Sequence, residues 1–302
     1  MLVQVGPLKI RNPVILASGI LGADPVTLKA AYESGAGAVV TKSVTPKPVP
    51  SRPKPLIVPY ENGWLNAVGL ANPGASVFAN DLGRPDYPVI VSLAGSTPSD
   101  FEYMINLFDG VAGFELNMSC PNAGGFGCDI GDDLNLMSSI VEAAKNATDL
   151  PVFVKIGHSM MKSTTSAILA GADGITAINT VPATRVDIET GNFLFGPHRG
   201  GLSGPPIRPI ALRAVHDLAN AHEVPIIGCG GISTWEHAVQ FLKAGAIAVQ
   251  VGSAAMDNPA VLGQIANGLE DWGHREESGQ VAGRQARRQR SDSLISCDQI
   301  QA

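Results

Sequence analysis

Eight short runs of apolar and β-branched residues recur along this chain, each bounded by Gly, Pro or Asn, and their order leaves few folds open. They read NPVILASG (12–19), AGAVVTKSV (36–44), PVIVSLAG (88–95) and GFELNMSCPN (113–122), then PVFVKIGH (151–158), GITAINTV (174–181), VPIIGCGGI (224–232) and AIAVQVGSA (246–254). The runs are continuous rather than alternating, as parallel strands covered on both faces require. Helical stretches stand between most of them, among them DDLNLMSSIVEAAKNA, SMMKSTTSAILAGA, IRPIALRAVHDLANAH and STWEHAVQFLKAGA. Strand–helix units in such a series predict an α/β fold, a (β/α)8 TIM barrel over residues 1–272, with a doubly wound open sheet as the alternative.

Two segments stand outside this rhythm. Residues 45–87 are rich in proline and too long for an ordinary connection, so they are expected to cover the C-terminal mouth of the barrel. Residues 273–302 show little apolar periodicity and a basic knot at Arg284, Arg287, Arg288 and Arg290, which reads as a poorly ordered tail rather than a binding arm.

A content of 45% hydrophobic and 16% charged residues supports a large core in a 302-residue chain. The net charge of −6 runs against a nucleic-acid footprint, which is normally basic. No charged leader precedes an apolar core, and no apolar run approaches the ~18 residues of a membrane span. These features read as a cytoplasmic protein with neither membrane nor nucleic-acid partners. The four cysteines, Cys120, Cys128, Cys229 and Cys297, form no CxxC pair, so no metal site is expected in this chain. Spacing alone permits a Cys120–Cys128 disulfide, which a cytosolic setting disfavours.

In a barrel of this kind the chemistry gathers at the C-terminal ends of the strands. The runs end in Ser18-Gly19, Lys42-Ser43, Asn117 through Asn122, Lys155, Asn179-Thr180, Gly230-Gly231 and Gly252-Ser253. Glycines after the last two strands let backbone N–H groups approach a phosphate, and GGLSG (200–204) adds a third such stretch. Lys42 and Lys155 follow buried apolar residues, where a lysine needs a partner. Each is either half of an internal ion pair with a carboxylate on a neighbouring strand, or a cation facing a bound anion or an electron-rich ring. Cys120 is either an inert buried thiol or a reactive one. Its place between hydrogen-bonding residues and a glycine-rich loop favours reactivity. Of the histidines only His158 and His198 fall near strand-end loops, and neither forms an obvious dyad, so a base is the better assignment than a nucleophile.

These residues resemble the class 1 dihydroorotate dehydrogenases, FMN-containing barrels of pyrimidine (UMP) biosynthesis. The resemblance runs from Leu8 to Gly268 and rests on NPVILASG, TKSVT, GWLNAVGLANPG, ELNMSCPN, PVFVKIG, INTV, GGLSGPPIRPIAL, IIGCGGI and VQVGSA in order. It implies oxidation of (S)-dihydroorotate to orotate, with Cys120 taking a proton from C5 while FMN takes a hydride from C6. It further implies FMN phosphate at Gly230, Gly231, Gly252 and Ser253, with contacts from Ser18, Lys42, Ser43, Asn117, Lys155, Ile178 and Gly204. The pyrimidine is implied to lie against Lys42, Asn66, Val68, Gly69, Leu70, Asn117, Asn122, Asn179 and Thr180. NAVGLANPG and GGLSGPPIRP are most similar to the NAD-linked subclass, which implies an electron-transfer subunit carrying FAD and an iron–sulfur cluster, around a homodimeric core. Two rival readings are a dihydropyrimidine (dihydrouracil-type) dehydrogenase and a flavin-free phosphate-binding barrel acting as isomerase or lyase.

Overall fold

The computed structural model describes residues 2–119, 133–195 and 200–277. Its centre is a closed barrel of eight parallel strands. In chain order these are β1 (Val14–Leu16), β2 (Ala38–Val40), β3 (Val89–Leu93), β4 (Gly113–Asn117), β5 (Val152–Ile156), β6 (Gly174–Ala177), β7 (Ile226–Cys229) and β8 (Ala248–Val251). Each pairs with the next, and β8 closes on β1 through Val249↔Val14, Gln250↔Ile15 and Val251↔Leu16. The (β/α)8 expectation holds, and the open-sheet alternative does not.

The strand side chains divide by the two-residue period of an extended chain. One set, including Val14, Val89, Val91, Phe114, Leu116, Val152, Val154 and Val249, packs outward against the helices. The other set points inward: Ile15, Val40, Ile90, Phe153, Ile227 and Ala248 form an apolar layer with Val5, Leu8 and Ile10. Those last three belong to an N-terminal antiparallel hairpin, Val3–Val5 with Leu8–Ile10, that packs on the inward layer. Two residues further along the same strands the inward positions become polar: Ser92 after Ile90, Lys155 after Phe153, Gln250 after Ala248. The barrel is thus oily at one level and polar at the next.

Helices begin where side chains can satisfy their first free N–H groups. Asp133 accepts from the amides of Asn135 and Leu136 ahead of helix Leu134–Ala147. Thr97 and Asp100 form a reciprocal capping box ahead of Pro98–Ile105. Thr234 caps Trp235–Lys243 by accepting from His237 N. The last helix, Val261–Glu277, carries described structure past the boundary read at residue 273, and the rest of that tail lies outside the described residues. No helix among the described residues is long and apolar enough to cross a membrane.

The 45–87 segment supplies two strands of a four-stranded antiparallel sheet, Ile57–Tyr60 and Gly63–Asn66. Gly200–Ser203 and Val181–Ala183, from the chain after β6, complete it. Gly201↔Asn66 and Leu202↔Leu65 join the two halves. Asn72, in the LANPG motif, ties the segment down: its Oδ1 accepts from Gly74 N at 2.8 Å and its Nδ2 donates to Thr45 Oγ1 at 2.7 Å. GGLSG, expected as a phosphate loop, is mostly strand; only Ser203 and Gly204 reach the pocket described next.

Candidate active site

One deep pocket lies between the C-terminal ends of the barrel strands and the small sheet. Every candidate residue that falls among the described residues lines it: Ser18, Lys42, Ser43, Asn66, Val68, Gly69, Leu70, Asn117, Lys155, Ile178, Asn179, Thr180, Gly204, Gly230, Gly231, Gly252 and Ser253. Cys120, Asn122, Cys128 and His198 lie outside the described residues. Further lining comes from residues that the sequence reading passed over, chiefly Ile57, Trp64, Ile207, Cys229, Ile232 and Met256. Apart from Cys229 these are apolar, and nothing local separates such a residue from one in the core.

The polar wall is a chain of amides and hydroxyls. Asn117 Nδ2 donates to Ser43 Oγ at 2.9 Å, and Ser43 Oγ pairs with Ser92 Oγ at 2.8 Å. Asn179 Nδ2 donates to Ser119 Oγ at 3.0 Å and lies 3.3 Å from Asn117 Oδ1, while its own Oδ1 accepts from Thr180 N at 2.8 Å. Asn66 Nδ2 donates to the Gly201 carbonyl at 3.1 Å, and Lys42 Nζ donates to the Ala71 carbonyl. These bonds hold the side chains in place and leave amide groups at the pocket wall, a pattern suited to a ring with alternating donors and acceptors.

The glycine-rich side is tightly built. Gly230 and Gly231 have φ of +136° and +72°, backbone that favours glycine. A Cβ on Gly231 would stand 2.7 Å from the Gly204 carbonyl oxygen and 2.8 Å from Arg208 Cβ. Arg208 braces this loop: its Nη1 donates to His237 Nε2 at 2.8 Å and reaches the Gly231 carbonyl at 3.4 Å. Burial and the Arg208 guanidinium, only partly offset by Glu236, hold the His237 imidazole below its ordinary range, which keeps it a neutral acceptor.

Beneath the pocket lies what the sequence reading missed most. Lys155 has the internal partner that was one of its two readings, Glu115 on the adjacent strand, with Nζ 3.6 Å from Oε1. The ion-pair reading holds, and the lysine also lines the pocket. Thr176 and Gln250, from β6 and β8, complete the group. Burial opposes the Lys155 charge, but the Glu115 carboxylate, with a smaller contribution from Cys229, outweighs it, and the ammonium sits above the usual lysine value. Burial pushes the nearby Cys229 thiol up, against the pull of Lys155, so it is neutral and makes a poor nucleophile. A signal for this group was present: a single polar residue inside each of the runs FEL, VKI, TAI and VQV.

Residues 1–272 match the family model described as Dihydroorotate dehydrogenase. Several curated relatives carry the name "Dihydroorotate dehydrogenase B (NAD(+)), catalytic subunit". That of Pyrococcus horikoshii is 43% identical over 277 residues, covering 89% of this chain and 91% of its own. That of Methanosarcina mazei is 43% identical over 273 residues, 87% of each chain. That of Methanocella arvoryzae is 39% identical over 275 residues, 89% of this chain and 91% of its own. Match and geometry agree, and this chain belongs to the dihydroorotate dehydrogenase family.

Proposed function

We propose that this chain oxidises (S)-dihydroorotate to orotate with FMN held in the barrel-mouth pocket, as the catalytic subunit of an NAD-linked enzyme of pyrimidine biosynthesis. The observation that carries this reading is the pairing, in one pocket, of an amide-lined wall with a glycine cradle and a buried cation. Three glycines, Gly204, Gly230 and Gly231, adopt positive φ where the backbone must come close to a ligand. Lys155 is 5% exposed and lines the pocket, an arrangement that suits a ring gaining negative charge. The residues present fit the cofactor.

FMN, when bound, supplies the acceptor for the hydride from C6. Gly230, Gly231, Gly252 and Ser253 would hold its phosphate; Ser18, Lys42, Ser43, Asn117, Lys155, Ile178 and Gly204 would hold the rest. Asn66, Asn117, Asn122, Asn179, Thr180 and the Val68–Leu70 backbone orient the pyrimidine, and Lys42 offsets its carboxylate. Cys120 takes the C5 proton. The small sheet and the insertion exclude water from this chemistry. An electron-transfer subunit carrying FAD and an iron–sulfur cluster would then link the reaction to NAD, around a homodimer of this chain. The relatives named as catalytic subunits of an NAD(+) enzyme support the NAD link and a further subunit.

Anaerobic addition of dihydroorotate to the purified chain is expected to bleach its visible flavin absorbance, while dihydrouracil leaves it unchanged. Bleaching by dihydrouracil alone would move the substrate assignment to the dihydropyrimidine class. A colourless protein that FMN cannot reconstitute would remove the cofactor.

Gly231→Ala tests the cradle. Its φ of +72° and the two contacts below 3 Å force the loop outward. The backbone strain alone is worth about 1–3 kcal/mol. The expected result is a lower melting temperature and loss of FMN on dialysis. Normal retention would show that the phosphate sits elsewhere.

A further inference from the structure

Four polar side chains meet inside the barrel beneath the pocket, one each from β4, β5, β6 and β8. Lys155 Nζ donates to Gln250 Oε1 at 2.9 Å and faces Glu115 Oε1 at 3.6 Å. Thr176 Oγ1 donates to Glu115 Oε2 at 2.9 Å, and Gln250 Nε2 donates to the same oxygen. Glu115 is 1% exposed, and Thr176 and Gln250 are fully buried. Gln250 is thereby locked: its amide N–H serves the carboxylate and its carbonyl serves the ammonium.

An ammonium carries three donors. Here one is spent on Gln250, the carboxylate supplies charge from the same side, and the lysine lines the pocket above. Salt bridges of this kind are expensive to bury and cannot be explained by stability alone, since an apolar pair of similar volume does as well.

We propose that Glu115 is a positioning residue that keeps Lys155 charged and aimed at the flavin ring, so that reducing the flavin takes up one proton per two electrons rather than two. The inference rests on the FMN reading above. In the proposed reaction the C6 hydride would go to the flavin, oxidising the substrate and reducing the ring, while the C5 proton would leave separately to the base. A ring reduced in this way would carry a negative charge, and Lys155, buried at the pocket, would supply the cation that offsets it. Without Glu115 the amine loses the largest contribution that offsets its desolvation, and it then stays neutral beside oxidised flavin. It must take a second proton from solvent when the ring is reduced. The titratable groups facing Lys155 among the described residues are Glu115 and Cys229; Thr176 and Gln250 do not titrate. Lys42 lines the same pocket, with Nζ donating to the Ala71 carbonyl.

The test is an anaerobic potentiometric titration of the FMN-loaded protein from about pH 7 to about pH 9, where ordinary carboxylates and lysines keep their charge. The pH dependence of the midpoint reports protons taken up per electron pair. The wild type is expected to take up one, Glu115→Gln two, and Glu115→Asp, which keeps the charge, one again. Proton uptake in Glu115→Gln equal to wild type would overturn the inference. Should that variant not fold, NMR of wild-type holoprotein labelled with 15N at lysine Nζ decides the matter. A Lys155 ammonium that persists across the range in both flavin states is expected, and one that loses its proton within it sinks the idea. A wild type that binds no FMN removes the cofactor reading and this inference together, whereas unchanged proton uptake in a flavin-bearing variant removes only the inference.

Discussion

In a Cys120→Ala variant, reduction of the bound flavin by dihydroorotate is expected to slow by ~10²–10⁴-fold, the usual contribution of a positioned general base. The flavin itself should remain bound with an unaltered spectrum. Several described groups at the pocket are poor substitutes for the base. Asn117, Asn179 and Thr180 do not titrate, Ser119 and Ser43 are engaged in hydrogen bonds, and Lys155 is held protonated by Glu115. Cys229, a thiol that lines the pocket, is held neutral by burial. An unperturbed thiol with a pKa of about 8.5 is a competent base near neutral pH after a modest downward shift. FMN retention is expected because the residues proposed to hold its phosphate, and Lys155, belong to other strands. Stopped-flow absorbance under anaerobic conditions measures the step directly. Unchanged reduction kinetics would end the base assignment, and loss of the flavin would make Cys120 structural instead.

The largest effect on stability is expected at the other end of the site. Lys155→Met leaves Glu115 as a buried carboxylate without its cation, a change worth about 3–5 kcal/mol. The contrast with Arg213–Asp217 shows why burial rather than distance decides this. That pair is closer, at 2.6 Å, but its arginine side chain is 77% exposed, and such a helix pair is worth about 0.3–0.5 kcal/mol. The sign of the pH dependence follows from the raised Lys155 pKa. A lysine held above its ordinary value of 10.5 contributes fully below that value and loses its contribution only as pH rises through the folded-state value. The gap between wild type and variant in urea unfolding should therefore stay constant across neutral pH. Lys155→Met combined with Glu115→Leu should recover most of the loss, because the pair is then replaced by apolar volume rather than broken. A single variant as stable as wild type would mean that water reaches Glu115.

How much of this was legible beforehand differs by element. The barrel strands were open to reading because a strand covered on both faces must be apolar at successive positions, a property of a few adjacent residues. The pocket residues were legible for a related reason: they stand where an apolar run stops, and a barrel puts every such stop at one rim. The FMN and pyrimidine roles came from resemblance in the order of motifs, not from composition or spacing.

The partners of those residues were a different matter. Glu115 stands in FEL and Gln250 in VQV, each a lone polar residue in a strand, and nothing local says that they meet. They are 135 residues apart, and only barrel closure brings their side chains together. The small sheet is similar, since Asn66 pairs with Gly201 through an antiparallel register that no helix or turn between them specifies. By itself, then, the sequence determined the strand series, the rim and the candidate residues, because the two-residue period and its interruptions act over short range. Tertiary structure alone decided which buried charge neutralises Lys155 and which strands after β6 join the insertion over the mouth, because strand pairing and closure act between residues that the chain keeps far apart.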